Sequence, residues 1–121
     1  MKRGFTLIEL LVVMAIVALL LTLAAPRYFQ HVERSKEAVL RENLATVRDA
    51  IDQFHADVGS WPATLETLAE RRYLRAVPVD PITERSDSWQ FVPPPDGSAG
   101  IYDIRSGAEG TASDGQAYAD W

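Results

Sequence analysis

Residues 1–26 read MKRGFTLIELLVVMAIVALLLTLAAP, in which a basic pair and a glycine precede an apolar run that ends at Ala25. An α-helix rises about 1.5 Å per residue, so about 20 apolar residues match the hydrocarbon core of a bilayer. One carboxylate, Glu9, lies near the start of the run. A charged carboxylate costs roughly 2.5–3.5 kcal/mol at mid-bilayer, which favours a functional role for it. The segment therefore predicts a membrane-spanning helix with one functional acid.

Two ordinary interpretations compete with this one. A cleaved secretory signal has an apolar core of about 7–15 residues and a cleavage site of small residues. The present run is longer, and Glu9 interrupts it. A plain signal anchor with an incidental glutamate is the second alternative.

Gly4, Phe5, Glu9 and Pro26 have the spacing of the N-terminal signal of type IV pilins and of the pseudopilins of type II secretion, which this segment resembles. The resemblance implies cleavage by a prepilin peptidase between Gly4 and Phe5, followed by N-methylation of Phe5. It also implies that Glu9 assists assembly by pairing with the N-terminal amine of a neighbouring subunit. Pro26 stands where the family places a proline, in a region that unwinds when a subunit joins a filament.

Charge and length define the expected topology. Lys2 and Arg3 immediately precede the span, and the positive-inside rule places them in the cytoplasm. We thus expect a cytoplasmic leader (residues 1–4), a transmembrane and filament-core helix (5–26) and a periplasmic globular domain (27–121). The chain would cross the bacterial inner membrane once.

Composition excludes several kinds of site. The chain has no cysteine, so it forms no disulfide and no thiolate metal site. Its formal net charge of −5 argues against a nucleic-acid surface, which needs clustered cations. His31 and His55 are too far apart in sequence to share a site, and no nucleophile or nucleotide-binding motif occurs. We expect no enzymatic activity and no nucleic-acid partner.

After Pro26 the apolar pattern becomes periodic, with spacings of three and four that indicate one buried face of a helix. The face comprises Leu40, Leu44, Val47, Ile51, Phe54 and Val58. Glu33/Glu37 and Lys36/Arg41 are interpreted as helix-surface pairs. The helix is predicted to run from Phe5 to about Val58 and to end at Gly59, with a kink or local melting near Leu23–Pro26.

The rest of the domain predicts short elements. Thr64 is a candidate N-cap for a helix that continues to about Arg72. Residues 89–92 and 101–104 predict two strands, with a possible third at 77–82. The expected fold class is α+β: a long N-terminal helix packed on a small antiparallel β-sheet, followed by a C-terminal loop.

The order of turn residues resembles the major pseudopilin of type II secretion more than a pilus pilin. It comprises Gly59, Trp61-Pro62, Tyr73-Leu74, Pro78 and Asp80-Pro81, and the departure is Ile82-Thr83, where many relatives have tryptophan and glycine. Major pseudopilins bind calcium in their C-terminal loop. The resemblance therefore implies Ca²⁺ ligands here among Ser106, Glu109, Asp114 and Asp120. The leucine that usually follows the loop serine is missing, and a solvated acidic loop is the alternative.

The expected function is a structural filament subunit, the major pseudopilin of a type II secretion system. The resemblance implies copies of itself, minor pseudopilins, prepilin peptidase, an inner-membrane assembly platform with its ATPase, and membrane lipid as partners. A type IV pilus pilin or minor pilin, used in adhesion, motility or DNA uptake, is the first alternative. A monomeric membrane-anchored periplasmic binding module is the second.

Overall fold

The structure is a computed structural model and describes residues 4–121. Over this range the elements are helix α1 (Leu7–Val58), helix α2 (Leu65–Glu70), strands β1 (Gln90–Val92) and β2 (Asp103–Arg105), and a 3₁₀ helix (Tyr118–Asp120). The chain divides into two compact units, which meet in sequence between Arg34 and Ser35. The predicted α+β, pilin-like class is confirmed.

Helix α1 begins two residues later than predicted because Thr6 occupies its N-cap position. At the other end, Gly59 has φ +83° and its N–H donates to the carbonyl of His55 at 2.8 Å. A left-handed residue just past the last turn is the usual place for glycine, so the predicted end of the helix is confirmed.

The predicted melting near Leu23–Pro26 is wrong for this structure, since Pro26 lies inside the continuous helix α1. A proline removes a single N–H from the ladder, and the turns on either side keep their own bonds. Beside it, the Thr22 hydroxyl donates to the carbonyl of Ala18 at 2.8 Å. A bend at Pro26 stays a prediction.

The predicted apolar face of α1 forms the core of the second unit, except at its last position. Leu40, Val47 and Ile51 are fully buried, whereas Val58 is 45% exposed. Val58 is the final helical residue, and its side chain is left outside the core cluster. The buried face instead extends in the opposite direction by one turn, to Glu37.

Helix α2 ends two residues earlier than predicted. The Thr64 hydroxyl accepts the N–H of Thr67 at 3.2 Å, which confirms the predicted N-cap. The helix ends at Glu70 rather than Arg72, because Arg72 takes a left-handed φ of 64° that no helix can continue. Its inner side chains, Leu65 and Leu68, are buried.

Strands β1 and β2 pair antiparallel, with Phe91 opposite Ile104. The prediction of a third strand at 77–82 is wrong, since these described residues form no strand and Asp80 makes an isolated bridge to Arg85 instead. Its carboxylate accepts the N–H of Ile82 at 2.8 Å and of Thr83 at 3.4 Å. This Asx-type turn reverses the chain where a strand would need to continue.

Candidate functional site

The predicted processing site lies in non-helical chain before α1. Gly4 and Phe5 are exposed, Phe5 by 90%, and neither belongs to a helix or strand. Of the predicted leader, residues 1–3 lie outside the described residues. Gly4 and Phe5 are thus accessible to solvent, and their cleavage and methylation stay predictions.

Thr6 and Glu9 cap the N-terminus of α1 reciprocally. The main-chain N–H of Glu9 donates to the Thr6 hydroxyl at 3.2 Å, and the N–H of Thr6 donates to the Glu9 carboxylate at 3.4 Å. This arrangement is a capping box, which satisfies two N–H groups that the first helical turn leaves without partners. Thr6 was missed at the sequence level, although the pattern Thr-x-x-Glu at the start of an apolar run signals it.

The apolar half of α1 is exposed on all sides within the single chain. Leu7 is 73% and Leu23 64% exposed, and the apolar positions between them are comparably open. Among the described residues, α1 alone contains a stretch long and apolar enough to cross a membrane, and none of that stretch is buried within the chain. A helix that is hydrophobic all round requires burial in lipid or against other helices.

The four predicted metal ligands have separate environments. Ser106 is fully buried and donates its hydroxyl to Asp80 at 2.5 Å. Asp114 pairs with Arg41, while Glu109 and Asp120 are exposed. No three acidic or histidine side chains of residues 4–121 gather where they could hold a metal ion. Calcium binding stays a prediction.

Glu37 is the main residue that sequence reasoning placed wrongly. It was interpreted as a member of the helix-surface pairs, yet it is 7% exposed and accepts bonds from Ser113 and Tyr118. The Ser113 hydroxyl, above all, lowers the pKa of the Glu37 carboxyl from its ordinary value, while burial opposes that shift. Its place one turn before Leu40 and two turns before Leu44 on the apolar face was the available signal.

The two cations of the predicted helix-surface pairs, Lys36 and Arg41, have partners outside the helix. Lys36 lies 3.9 Å from Glu84, a weak exposed contact, and Arg41 reaches Asp114 at 3.1 Å. Both cations thus contact acids in loops of the domain rather than acids of the same helix.

Comparison with known proteins agrees with this geometry. Residues 1–25 match the prokaryotic N-terminal methylation motif. The type II secretion system core protein G of Pseudomonas aeruginosa is 29% identical over 90% of this chain and 85% of its own length. Core protein G of Escherichia coli K12 is 28% identical over 93% of this chain and 88% of its own length. Fimbrial protein EcpC of Eikenella corrodens is 37% identical but covers 51% of this chain and 40% of its own length. No solved structure gives a significant match.

The methylation motif therefore covers an exposed apolar helix with a capped N-terminal acid, and this helix continues into a small α+β domain. The N-terminal part of the chain is thus similar to proteins that carry this methylation motif. The similarity to core protein G extends along nearly the whole chain, whereas that to fimbrial protein EcpC extends along about half of it.

Proposed function

We propose that this chain is the major pseudopilin of a type II secretion system, a structural subunit that polymerises into a periplasmic filament. The observation that carries the proposal is the apolar half of α1, whose side chains are exposed all round although water is an unfavourable environment for them. Lipid buries this surface before assembly, and copies of the same helix bury it afterwards. The similarity to core protein G over most of both chains supports the secretion system in particular.

The order of events follows from the family and from the sites described. Prepilin peptidase cuts after Gly4, Phe5 is methylated, and the subunit waits in the inner membrane with its C-terminal domain in the periplasm. Glu9 then exchanges its bond to Thr6 for the amine of a neighbouring subunit. An inner-membrane platform, its ATPase and minor pseudopilins are the partners this assembly requires. The proposal assigns the chain no catalytic activity.

The decisive experiment replaces Glu9 with alanine in the full-length chain, in a host that lacks its own major pseudopilin. We expect processing and membrane insertion to persist while filaments and protein export are lost. Glu33→Ala is the matched control, because Glu33 is an exposed acid of the same helix. Failure of the unsubstituted chain to restore filaments and export would refute the proposal in favour of a monomeric membrane-anchored binding module, and normal export by Glu9→Ala would refute the assembly role of Glu9.

A pilus pilin is the second candidate, favoured by the identity with fimbrial proteins over about half of this chain. Full-length similarity weighs against it, since fimbrial relatives match only a part of their own length. Expression in the same host separates the two: surface pili without restored export would indicate a pilin.

A further inference from the structure

One face of α1 carries three charged side chains that all engage the C-terminal segment. Glu37, Arg41 and Arg48 are separated by four and seven residues, so they recur on one side of the helix with Leu44 among them. Their partners lie between Asp103 and Trp121. We call these three side chains the polar ladder and residues 106–121 the C-terminal loop.

The first step of the ladder is a buried carboxylate. Glu37 Oε1 accepts the main-chain N–H of Ser113 at 2.7 Å, and Oε2 accepts the Ser113 hydroxyl at 2.6 Å. The Tyr118 hydroxyl donates to Oε1 at 3.3 Å. Hydrogen bonds to an ionised acceptor are roughly twice as strong as neutral ones, so these bonds fix two points of the loop on α1.

The second member of the polar ladder, Arg41, neutralises the charge of Asp114 in the C-terminal loop. Arg41 Nη2 lies 3.1 Å from Asp114 Oδ2, and the Arg41 guanidinium carbon lies 4.4 Å from the centre of the Trp121 ring. The other oxygen of Asp114 accepts the N–H of Gln116 at 3.0 Å. Both oxygens of the predicted calcium ligand Asp114 are thus engaged by groups of the protein.

The third step ties the end of the loop to strand β2. Arg48 Nε donates to Asp103 Oδ1 at 2.7 Å, and Nη2 donates to the carbonyls of Ile104 at 3.0 Å and Trp121 at 2.8 Å. One guanidinium therefore joins helix, strand and loop. Its planar fork loses less conformational freedom per bond than a lysine would, which suits it to this role.

This arrangement disagrees with a calcium site. Calcium needs about six to eight oxygen ligands within about 2.3–2.6 Å. Of the predicted ligands, Ser106 is turned toward the buried Asp80, and Asp114 is occupied by Arg41. A cation added beside Asp114 would also face the guanidinium of Arg41 and its like charge. The residues present do not fit the metal.

We propose that the polar ladder of Glu37, Arg41 and Arg48 takes the place of a metal ion, so that the C-terminal loop of this chain folds and stays folded without calcium. This inference concerns the stability of the domain and does not depend on the proposed function. The result of a secretion experiment therefore neither supports nor contradicts the inference.

The first test uses the full-length chain in detergent micelles and no substitution. Thermal unfolding is followed by circular dichroism with chelator and with millimolar calcium. We expect the same midpoint in both. A ligand that binds only the folded state must raise the midpoint, so an increase with calcium that chelator reverses would overturn the inference.

The second test compares ladder variants with matched controls on the same helix. Glu37→Gln and Arg48→Gln should lower the midpoint by several degrees and speed amide exchange in residues 112–121, and calcium should restore neither. Glu33→Gln and Arg34→Gln are the controls, since both residues are exposed. Ladder variants that behave like the controls would contradict the proposal.

Arg41→Lys keeps the test falsifiable if the other variants fail to fold, because Arg41 is largely exposed. Lysine retains the charge but loses the planar contact with Trp121. We expect faster exchange in the C-terminal loop with little change in the global midpoint. Unchanged exchange would count against the ladder.

Discussion

The main-chain N–H and hydroxyl of Ser113 both donate to the carboxylate of Glu37, 76 residues earlier in the chain, at 2.7 and 2.6 Å. Such a contact joins the middle of α1 to the C-terminal loop across most of the sequence of the domain. It also makes the stability of that loop sensitive to the protonation of one carboxyl.

The folded protein should lose stability in acid through Glu37. The Ser113 hydroxyl is the largest contributor that lowers the pKa of Glu37 from its ordinary value of 4.5. Between the lowered pKa of the folded state and the ordinary pKa of 4.5, the unfolded chain therefore binds more protons than the folded chain. The stabilisation is complete above about pH 4.5 and is lost as the pH falls through the pKa of the folded state. Chemical denaturation across pH 3–7 (roughly the range of carboxyl titration) measures it.

Glu37→Gln is the comparison for this prediction. Asp87 and Asp96 also have a lowered pKa, through bonds from Arg85 and Ser98, and both are present in the two proteins. Their contributions cancel in the difference between variant and parent. The parent should show the steeper loss of unfolding free energy in acid, and parallel curves would rule out Glu37 as the source.

The capping box predicts a local effect at the start of α1. Thr6→Val removes the hydroxyl that accepts the Glu9 N–H, and loss of an N-cap side chain costs about 0.5–2 kcal/mol. Amide exchange at Glu9 should accelerate in micelles. Thr22→Val is the control, since its hydroxyl bonds a carbonyl inside the helix; equal effects of the two variants would refute a capping role.

Two positions of the predicted apolar face, Ile51 and Val58, should differ sharply in their contribution to stability. Ile51 is fully buried, and truncation of such a side chain costs about 2–5 kcal/mol. Val58→Ala should cost far less, because the Val58 side chain is 45% exposed. Urea denaturation of the two variants in the same detergent measures both, and comparable losses would mean that Val58 belongs to the core.

The helical part of this fold could be predicted from sequence because its signals are local. A continuous apolar run, a change to three-and-four spacing at Leu40 and a glycine at position 59 define most of α1. Thr64 likewise marks the start of α2 by its own hydrogen bond. These features need no knowledge of distant residues.

The polar contacts could not be predicted because each joins residues far apart in sequence. Glu37 looks like a surface acid until Ser113 and Tyr118 are placed above it. Arg48 likewise looks solvent-facing until Asp103 is placed beside it. The prediction of a third strand was wrong for a related reason. The side chain of Asp80 accepts a main-chain N–H that would otherwise donate to a neighbouring strand.

Gly107 should be the least replaceable glycine of the C-terminal loop. A Cβ added there would lie 1.9 Å from the carbonyl oxygen of Ser88, which is main chain and cannot rotate away. Overpacking of this kind costs typically about 1–3 kcal/mol, so Gly107→Ala should lower the urea midpoint clearly. Gly97→Ala is the control: its Cβ would meet nothing within 4 Å, and it carries only the strain of φ +78°. Because residue 107 lies near the start of the C-terminal loop, the loss should be accompanied by faster amide exchange between residues 108 and 121. An alanine variant as stable as the parent would show that the loop and residue 88 can separate, and that the close approach is not required by the fold.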